Sequence, residues 1–257
     1  MELIDITKLI AEECGKVLLG SFDNIKEISE KTGPRDIVTD ADRKSEKLAL
    51  ELVKKYRPND GMLGEEGSDF QGSTGYKWII DPLDGTLNFA YGVPLFAVSV
   101  AVCQNGIPVC GAVYDPVHNE MFWAEKGKGA YLNDRKIACC DVDRIENSLL
   151  YLSWMPSADK FEDFRQRASK LFLKVPHLRR MGSAALGLVY IAAGRINGFV
   201  EVGLHPWDVA AGVLIAEEAG AVSSDRYGKA CNMENLIVDV IAGSPKVYKD
   251  IMDTLAY

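Results

Sequence analysis

An apolar run that stops on two carboxylates three residues apart constrains this 257-residue chain more than any other feature. The stretch is Trp78-Ile79-Ile80-Asp81-Pro82-Leu83-Asp84-Gly85-Thr86-Leu87-Asn88-Phe89. Trp78 to Ile80 reads as a buried strand. Pro82 is expected to end it, because proline lacks the ladder N–H. Leu87 and Phe89 suit the start of a helix, so Asp81 and Asp84 fall side by side at its mouth and repel one another. A helix cap accounts for Asp84, and a plain Asp-Gly turn does the same. Either explains one aspartate and not both. A divalent cation explains both, and a phosphate beside it explains the bare amides of Gly85 and Thr86.

Hydrophobic spacing around this stretch divides the chain. Leu3, Ile6, Ile10, Cys14, Val17 and Leu18 recur at helical intervals. Lys31-Thr32-Gly33-Pro34-Arg35 reads as a polar loop. Thr39 or Asp40 can cap a helix running to about Tyr56, with Leu48, Leu52 and Tyr56 inward. Gly67 to Gly75 reads as a surface loop. After the signature come short strands at hairpin spacing: Phe96 to Val102, the Asn105-Gly106 turn, Val109 to Tyr114, and Glu120 to Ala124. They argue for an antiparallel sheet. From about residue 145, strand and helix alternate. Leu149 to Leu152, Gly198 to Val202 and Leu236 to Ala242 are expected strands. Phe161 to Phe172, Ser183 to Ala193, Val209 to Ala219 and a segment opened by Pro245 are expected helices. The expected division is 1–140, an α+β half, and 141–257, an α/β half, packed as layers of helix and sheet.

With 47% hydrophobic and 26% charged residues, the chain can bury a large core. Its net charge of −8 disfavours a nucleic-acid footprint. No apolar run reaches membrane-spanning length, and the acidic Met1-Glu2-Leu3-Ile4-Asp5 lacks a signal-peptide n-region. Cysteines at 14, 103, 110, 139, 140 and 231 form no Cys-x-x-Cys pair, which argues against zinc and for reduced thiols in a cytoplasm.

Asp81-Pro82-Leu83-Asp84-Gly85-Thr86-Leu87-Asn88-Phe89 resembles the first signature of the inositol monophosphatase family, metal-dependent and lithium-sensitive phosphomonoesterases. Gly64-Glu65-Glu66 upstream and Trp207-Asp208-Val209-Ala210-Ala211-Gly212 downstream are similar to its other signature segments, in the same order. The resemblance runs from Lys31 to Gly220 and implies an αβαβα sandwich, commonly dimeric, with two to three Mg²⁺ ions. It implies Glu65, Asp81 and the Leu83 carbonyl at a first metal position, Asp81, Asp84 and Asp208 at a second, and Glu65 at a weaker third. It implies Thr86 and Asp42 as the pair that orients the attacking water, Gly85 and Thr86 amides on phosphate, and Lys31 near the third ion, on a mobile loop. Gly182-Ser183-Ala184 and Glu201 match positions that bind a polyol ring.

Each residue also has an ordinary reading. Glu65 alone is a solvated loop acid, Asp208 an N-cap before Val209, Asp42 a first-turn acid, Lys31 a surface lysine and Glu201 a strand-edge charge. The expected activity is hydrolysis of myo-inositol monophosphate or a related polyol phosphate. Relatives with these signatures act on fructose 1,6-bisphosphate, histidinol phosphate, 3′-phosphoadenosine phosphates or NADP, and Arg179-Arg180 suits a second phosphate or a surface. A non-catalytic member that binds a partner is the alternative of another class. No metal carboxylate is missing, which weighs against it.

Overall fold

The computed structural model describes residues 1–22, 28–33, 36–142, 144–153 and 162–256. Helix α1 (Leu3–Phe22) buries Ile6, Ile10, Cys14 and Leu18 along one stripe, the spacing read from the sequence. Strands β1 (Ile28–Gly33) and β2 (Asp36–Thr39) then form an antiparallel ribbon. Lys31 to Gly33, expected as loop, are therefore strand, while Pro34 and Arg35 lie outside the described residues. Past Ile28, β1 is polar and β2 spans only four residues, so neither carries an alternating apolar pattern long enough to reveal it. Thr39 caps α2 (Asp40–Tyr56). The inward stripe of α2 is Ala41, Ser45, Ala49 and Val53. It lies one residue round the helix from Leu48, Leu52 and Tyr56, which are half-buried.

Strands β3 (Gly61–Gly64), β4 (Asp69–Phe70) and β5 (Tyr76–Asp84) lead to α3 (Thr86–Ala90). The hairpin strands β6 (Ala97–Gln104), β7 (Ile107–Asp115) and β8 (Glu120–Glu125) follow, then the short β9 (Ala130–Leu132) and β10 (Arg135–Ile137). Among the described residues these make an eight-stranded sheet of order β10-β9-β8-β7-β6-β5-β3-β4. It is antiparallel except that β3 and β5 run parallel. The chain leaves β3 to form β4 on the outer edge and returns on β3's other side, and two reversals restore its direction. At the far end, Asn105 and Gly106 both take positive φ, as the expected two-residue turn requires.

The second half contains β11 (Leu149–Leu152), α4 (Glu162–Ala168), α5 (Leu171–Lys174), β12 (His177–Arg179), α6 (Ala184–Ala192) and β13 (Gly198–Leu204). It ends with α7 (Pro206–Glu218), β14 (Val222–Ser224), β15 (Val238–Gly243) and α8 (Pro245–Leu255). The sheet order is β12-β11-β13-β15-β14, parallel on the β11 side and antiparallel around β15. The single helix expected around Phe164 is broken at Ser169 and Lys170, and Phe172 is 56% exposed. Phe161 lies outside the described residues. Leu236 and Ile237 precede β15 and are exposed. The Leu236 carbonyl accepts from a His205 ring nitrogen instead of joining a ladder.

The layers are α1 and α2, the large sheet, α6 and α7, the small sheet, then α4 and α8. This is the αβαβα order the resemblance implied. Ile79, Ala101 and Val113 face α6 and α7, while Trp78, Ile80 and Val100 face α1 and α2. Helix α7 is apolar almost all round, as a helix enclosed by two sheets must be. A Cβ on Gly111 would lie 3.1 Å from the Ala211 Cα, so small residues set the close approach of helix and sheet. Among the described residues no helix is long and apolar enough to cross a membrane.

Candidate active site

Parallel pairing of β3 and β5 delivers the first two carboxylates to one place. Gly64 pairs with Ile80, the last pair between these two strands, so the next residues, Glu65 beyond β3 and Asp81 still within β5, fall side by side at the same end. The Glu65 N–H still donates to the Ile80 carbonyl at 3.3 Å. Strand β5 does not stop at Pro82 as the sequence suggested. Asp81 pairs with Ser99 and Asp84 with Ala97, so β5 carries one extra residue, a bulge. Proline is tolerated there because the bulge asks for no ladder donor. The Pro82 carbonyl accepts from Ser45 Oγ at 3.1 Å, and the Leu83 N–H donates to Asp81 Oδ1 at 2.9 Å. Gly85 follows with φ +98°, and a Cβ there would lie 2.9 Å from the Leu95 carbonyl oxygen. Only glycine fits this turn.

Helix starts supply the rest. Asp42 is the third residue of α2 and closes a capping box, accepting from the Thr39 N–H at 2.8 Å. Its other oxygen accepts from Thr86 Oγ1 at 3.2 Å, and the Leu83 carbonyl competes for the same hydroxyl at 3.0 Å. Asp208 closes a second capping box at the third residue of α7, accepting from the His205 N–H at 2.7 Å. It is not the N-cap, because Pro206 opens the helix earlier than Val209. Asp84 accepts from Ser183 Oγ, from the Ala185 N–H at 2.9 Å and from the Ala184 N–H at 3.2 Å, at the start of α6. Positive helix ends favour these acids.

Their mutual repulsion and burial oppose that help. Burial pushes Asp81 well above the usual carboxylate range, and Glu65, Asp84 and Asp208 push the same way. Asp208 is raised well above its ordinary value by burial, then by Glu65. Burial lifts Asp84 to about 6 against its three hydrogen bonds. Asp42 also rises to about 6, through burial opposed by Thr39. Among the described residues no Lys or Arg pairs with Asp81, Asp84 or Asp208. No three His, Cys, Asp or Glu side chains there close into a ready-made metal cage. The donor set is nonetheless all oxygen and mutually repelling, with Asp81 and Asp84 buried and Glu65 and Asp208 half-buried, which fits a hard divalent ion.

The second half contributes Glu201, 6% exposed on β13. Its Oε2 is buried and has no hydrogen-bond partner among the described residues. Burial raises its pKa to about 7, while the Ser153 and Tyr151 hydroxyls and the field of Arg180 lower it. Ser183 and Ala184 reach the site, yet their donors are directed at Asp84. The Arg179 guanidinium bonds the neighbouring Leu178 carbonyl. Lys31 lies in β1, and its side chain is outside the described part.

Sequence reasoning missed several participants. Ser45 sits one turn beyond Asp42 and ties α2 to Pro82. Asn88 donates to the Leu95 and Met181 carbonyls, both at 2.7 Å, and so couples the signature helix to the Gly182-Ser183 segment. Tyr151 and Ser153 lie beside Glu201. Their available signal was polarity at positions whose spacing demanded burial.

The sequence profile of the inositol monophosphatase family matches residues 1–255. The chain belongs to that family. Inositol monophosphatase family members among its relatives carry two names. An inositol-1-monophosphatase from Mesorhizobium japonicum is 36% identical, with 97% of this chain and 94% of the relative covered. A protein named Nus factor SuhB from Vibrio cholerae is 37% identical at the same coverages. The crystal structure of the extragenic suppressor protein suhB from Bartonella henselae superposes with a TM-score of 0.91 at 35% identity, covering 98% of this chain and 97% of that one. The family's fold is thus the fold described above.

Proposed function

We propose that the chain is a Mg²⁺-dependent phosphomonoesterase whose substrate is myo-inositol monophosphate or a related polyol phosphate. One observation carries this reading: Asp81 and Asp84 from β5 and Asp208 from α7 lie in one another's field with Glu65, and among the described residues no cationic side chain pairs with any of the three aspartates. Glu65, Asp81 and the Leu83 carbonyl would hold one ion, Asp81, Asp84 and Asp208 a second, and Glu65 a weaker third. Bound Mg²⁺ supplies charge neutralisation on the phosphoryl oxygens, acidification of water and stabilisation of the leaving oxygen.

The chain's own groups do the remainder. The Gly85 and Thr86 N–H groups receive phosphate oxygens at the start of α3. Thr86 has one hydroxyl proton and directs it to Asp42 or Leu83, so its lone pairs remain to accept from the attacking water. Asp42, raised to about 6, is a suitable sink for that water's proton. Ser183 and the Ala184 amide orient Asp84. The unpartnered Glu201 Oε2 accepts a ring hydroxyl. By the resemblance, Lys31 would serve the third metal position, Li⁺ would inhibit turnover, and the assembly would be a dimer.

Phosphate release measured over inositol monophosphate, fructose 1,6-bisphosphate, histidinol phosphate, 3′-phosphoadenosine phosphate and NADP tests the substrate. The highest kcat/KM is expected on inositol monophosphate, and a preference for a bisphosphate would move the reading to a sugar bisphosphatase. The relatives named Nus factor SuhB support a second reading, action through a bound partner. Absence of turnover on the whole panel would favour it.

A further inference from the structure

The face of α2 turned toward the site carries three buried polar residues, Asp42, Ser45 and Glu46. Asp42 meets Thr86 and Ser45 meets Pro82. Glu46 is 4% exposed and meets neither. One of its oxygens accepts from the Glu66 N–H at 2.6 Å and the other from the Ser68 N–H at 2.9 Å. Both amides belong to the turn from β3 to β4, whose first residue beyond β3 is Glu65. The Gly64 N–H closes that turn on the Ser68 carbonyl at 2.7 Å. A Cβ on Gly64 would lie 2.6 Å from Glu46 Oε2, so the backbone is bare where the carboxylate sits.

We propose that Glu46 is a positioning residue for Glu65: its two-pronged grip fixes the turn and thereby the reach of the Glu65 carboxylate toward Asp81. The proposal rests on the phosphatase reading, in which Glu65 helps hold a divalent ion. An ionised carboxylate makes short, strong bonds to backbone donors and has an acceptor for each. Glutamine keeps the shape but opposes one N–H with its own amide donors. Residues 42, 45 and 46 occupy one turn of a single helix, so the positions of Thr86, Pro82 and Glu65 are set by one rigid body. Groups that orient metal ligands typically govern affinity by about 10- to 100-fold.

The test compares the parent protein with Glu46→Gln and Gly64→Ala. Mn²⁺ binding is measured by calorimetry, amide hydrogen exchange over residues 64–68 by mass spectrometry, and kcat as a function of Mg²⁺. In both variants Mn²⁺ affinity should fall about tenfold or more, exchange at Glu66 and Ser68 should accelerate, and kcat should recover at saturating Mg²⁺ with substrate KM nearly unchanged. Gly64→Ala displaces the carboxylate without removing its charge, and it decides the matter if Glu46→Gln fails to fold. Parental Mn²⁺ affinity in a folded variant, with or without faster exchange, would overturn the positioning role while leaving the phosphatase reading intact. A parent protein that binds no Mn²⁺ and releases no phosphate would overturn both.

Discussion

A carboxyl group whose pKa is raised by burial holds its proton more tightly folded than unfolded. Its contribution to stability is complete below the ordinary value of 3.8 and is lost as pH rises through the folded value, about 6 for Asp84 and higher than usual for Asp81. In chelator, therefore, the protein should weaken between about pH 4 and pH 8. Asp81→Asn keeps the acceptor for the Leu83 N–H and removes the charge. It should be more stable than the parent at pH 8 in EDTA, with the gain fading at pH 4. Denaturant titrations at the two pH values decide this, and an Asp81→Asn variant weaker at both would refute the burial account. Thr86→Ala and Asp42→Asn act on water, so each should lower kcat by about 10²–10⁴ with little change in KM. Raised KM at normal kcat would mean that the residue binds substrate instead. Glu201→Gln should cut selectivity for inositol monophosphate over p-nitrophenyl phosphate about tenfold. Equal loss on both would make Glu201 a structural charge.

At the scale of elements, the turn between β5 and α3 sets the site's geometry. Gly85→Ala meets both a positive φ and the Leu95 carbonyl, so it should lose about 2 kcal/mol or more. A thermal midpoint equal to the parent's would contradict that. How far such elements can be read in advance depends on what supports them. Helices α1 and α8 and the Asn105-Gly106 hairpin were legible because each declares itself locally, by period, by Pro245 and by turn chemistry. Strands β9, β10, β12 and β14, each three residues long, give periodicity nothing to act on. The parallel partnership of β3 with β5 depends on where β4 sits, which no local pattern records. That pairing is also what sets Glu65 beside Asp81, so the resemblance could single out these carboxylates while their juxtaposition was not legible. Ser45 and Glu46 were hidden for a related reason: a polar residue on a helix reads as solvated until the packed face is known.

Across the whole molecule, the two halves share one core. Val113 and Phe122 from the first half pack in the same cluster as Leu188 and Ala211 from the second. Asp208 reaches Asp81 because α7 from the second half lies on β6 and β7 from the first. An ion held by carboxylates from both halves should stabilise the folded state by mass action. The central claim is that these carboxylates make a metal-dependent phosphatase. It is tested most directly by phosphate release from myo-inositol monophosphate by the purified protein, with Mg²⁺, with EDTA, and with Mg²⁺ after Asp81→Asn. Turnover in the first case and its near-complete loss in the other two is the predicted result. Undiminished turnover in EDTA, or in the Asp81→Asn variant, would contradict it.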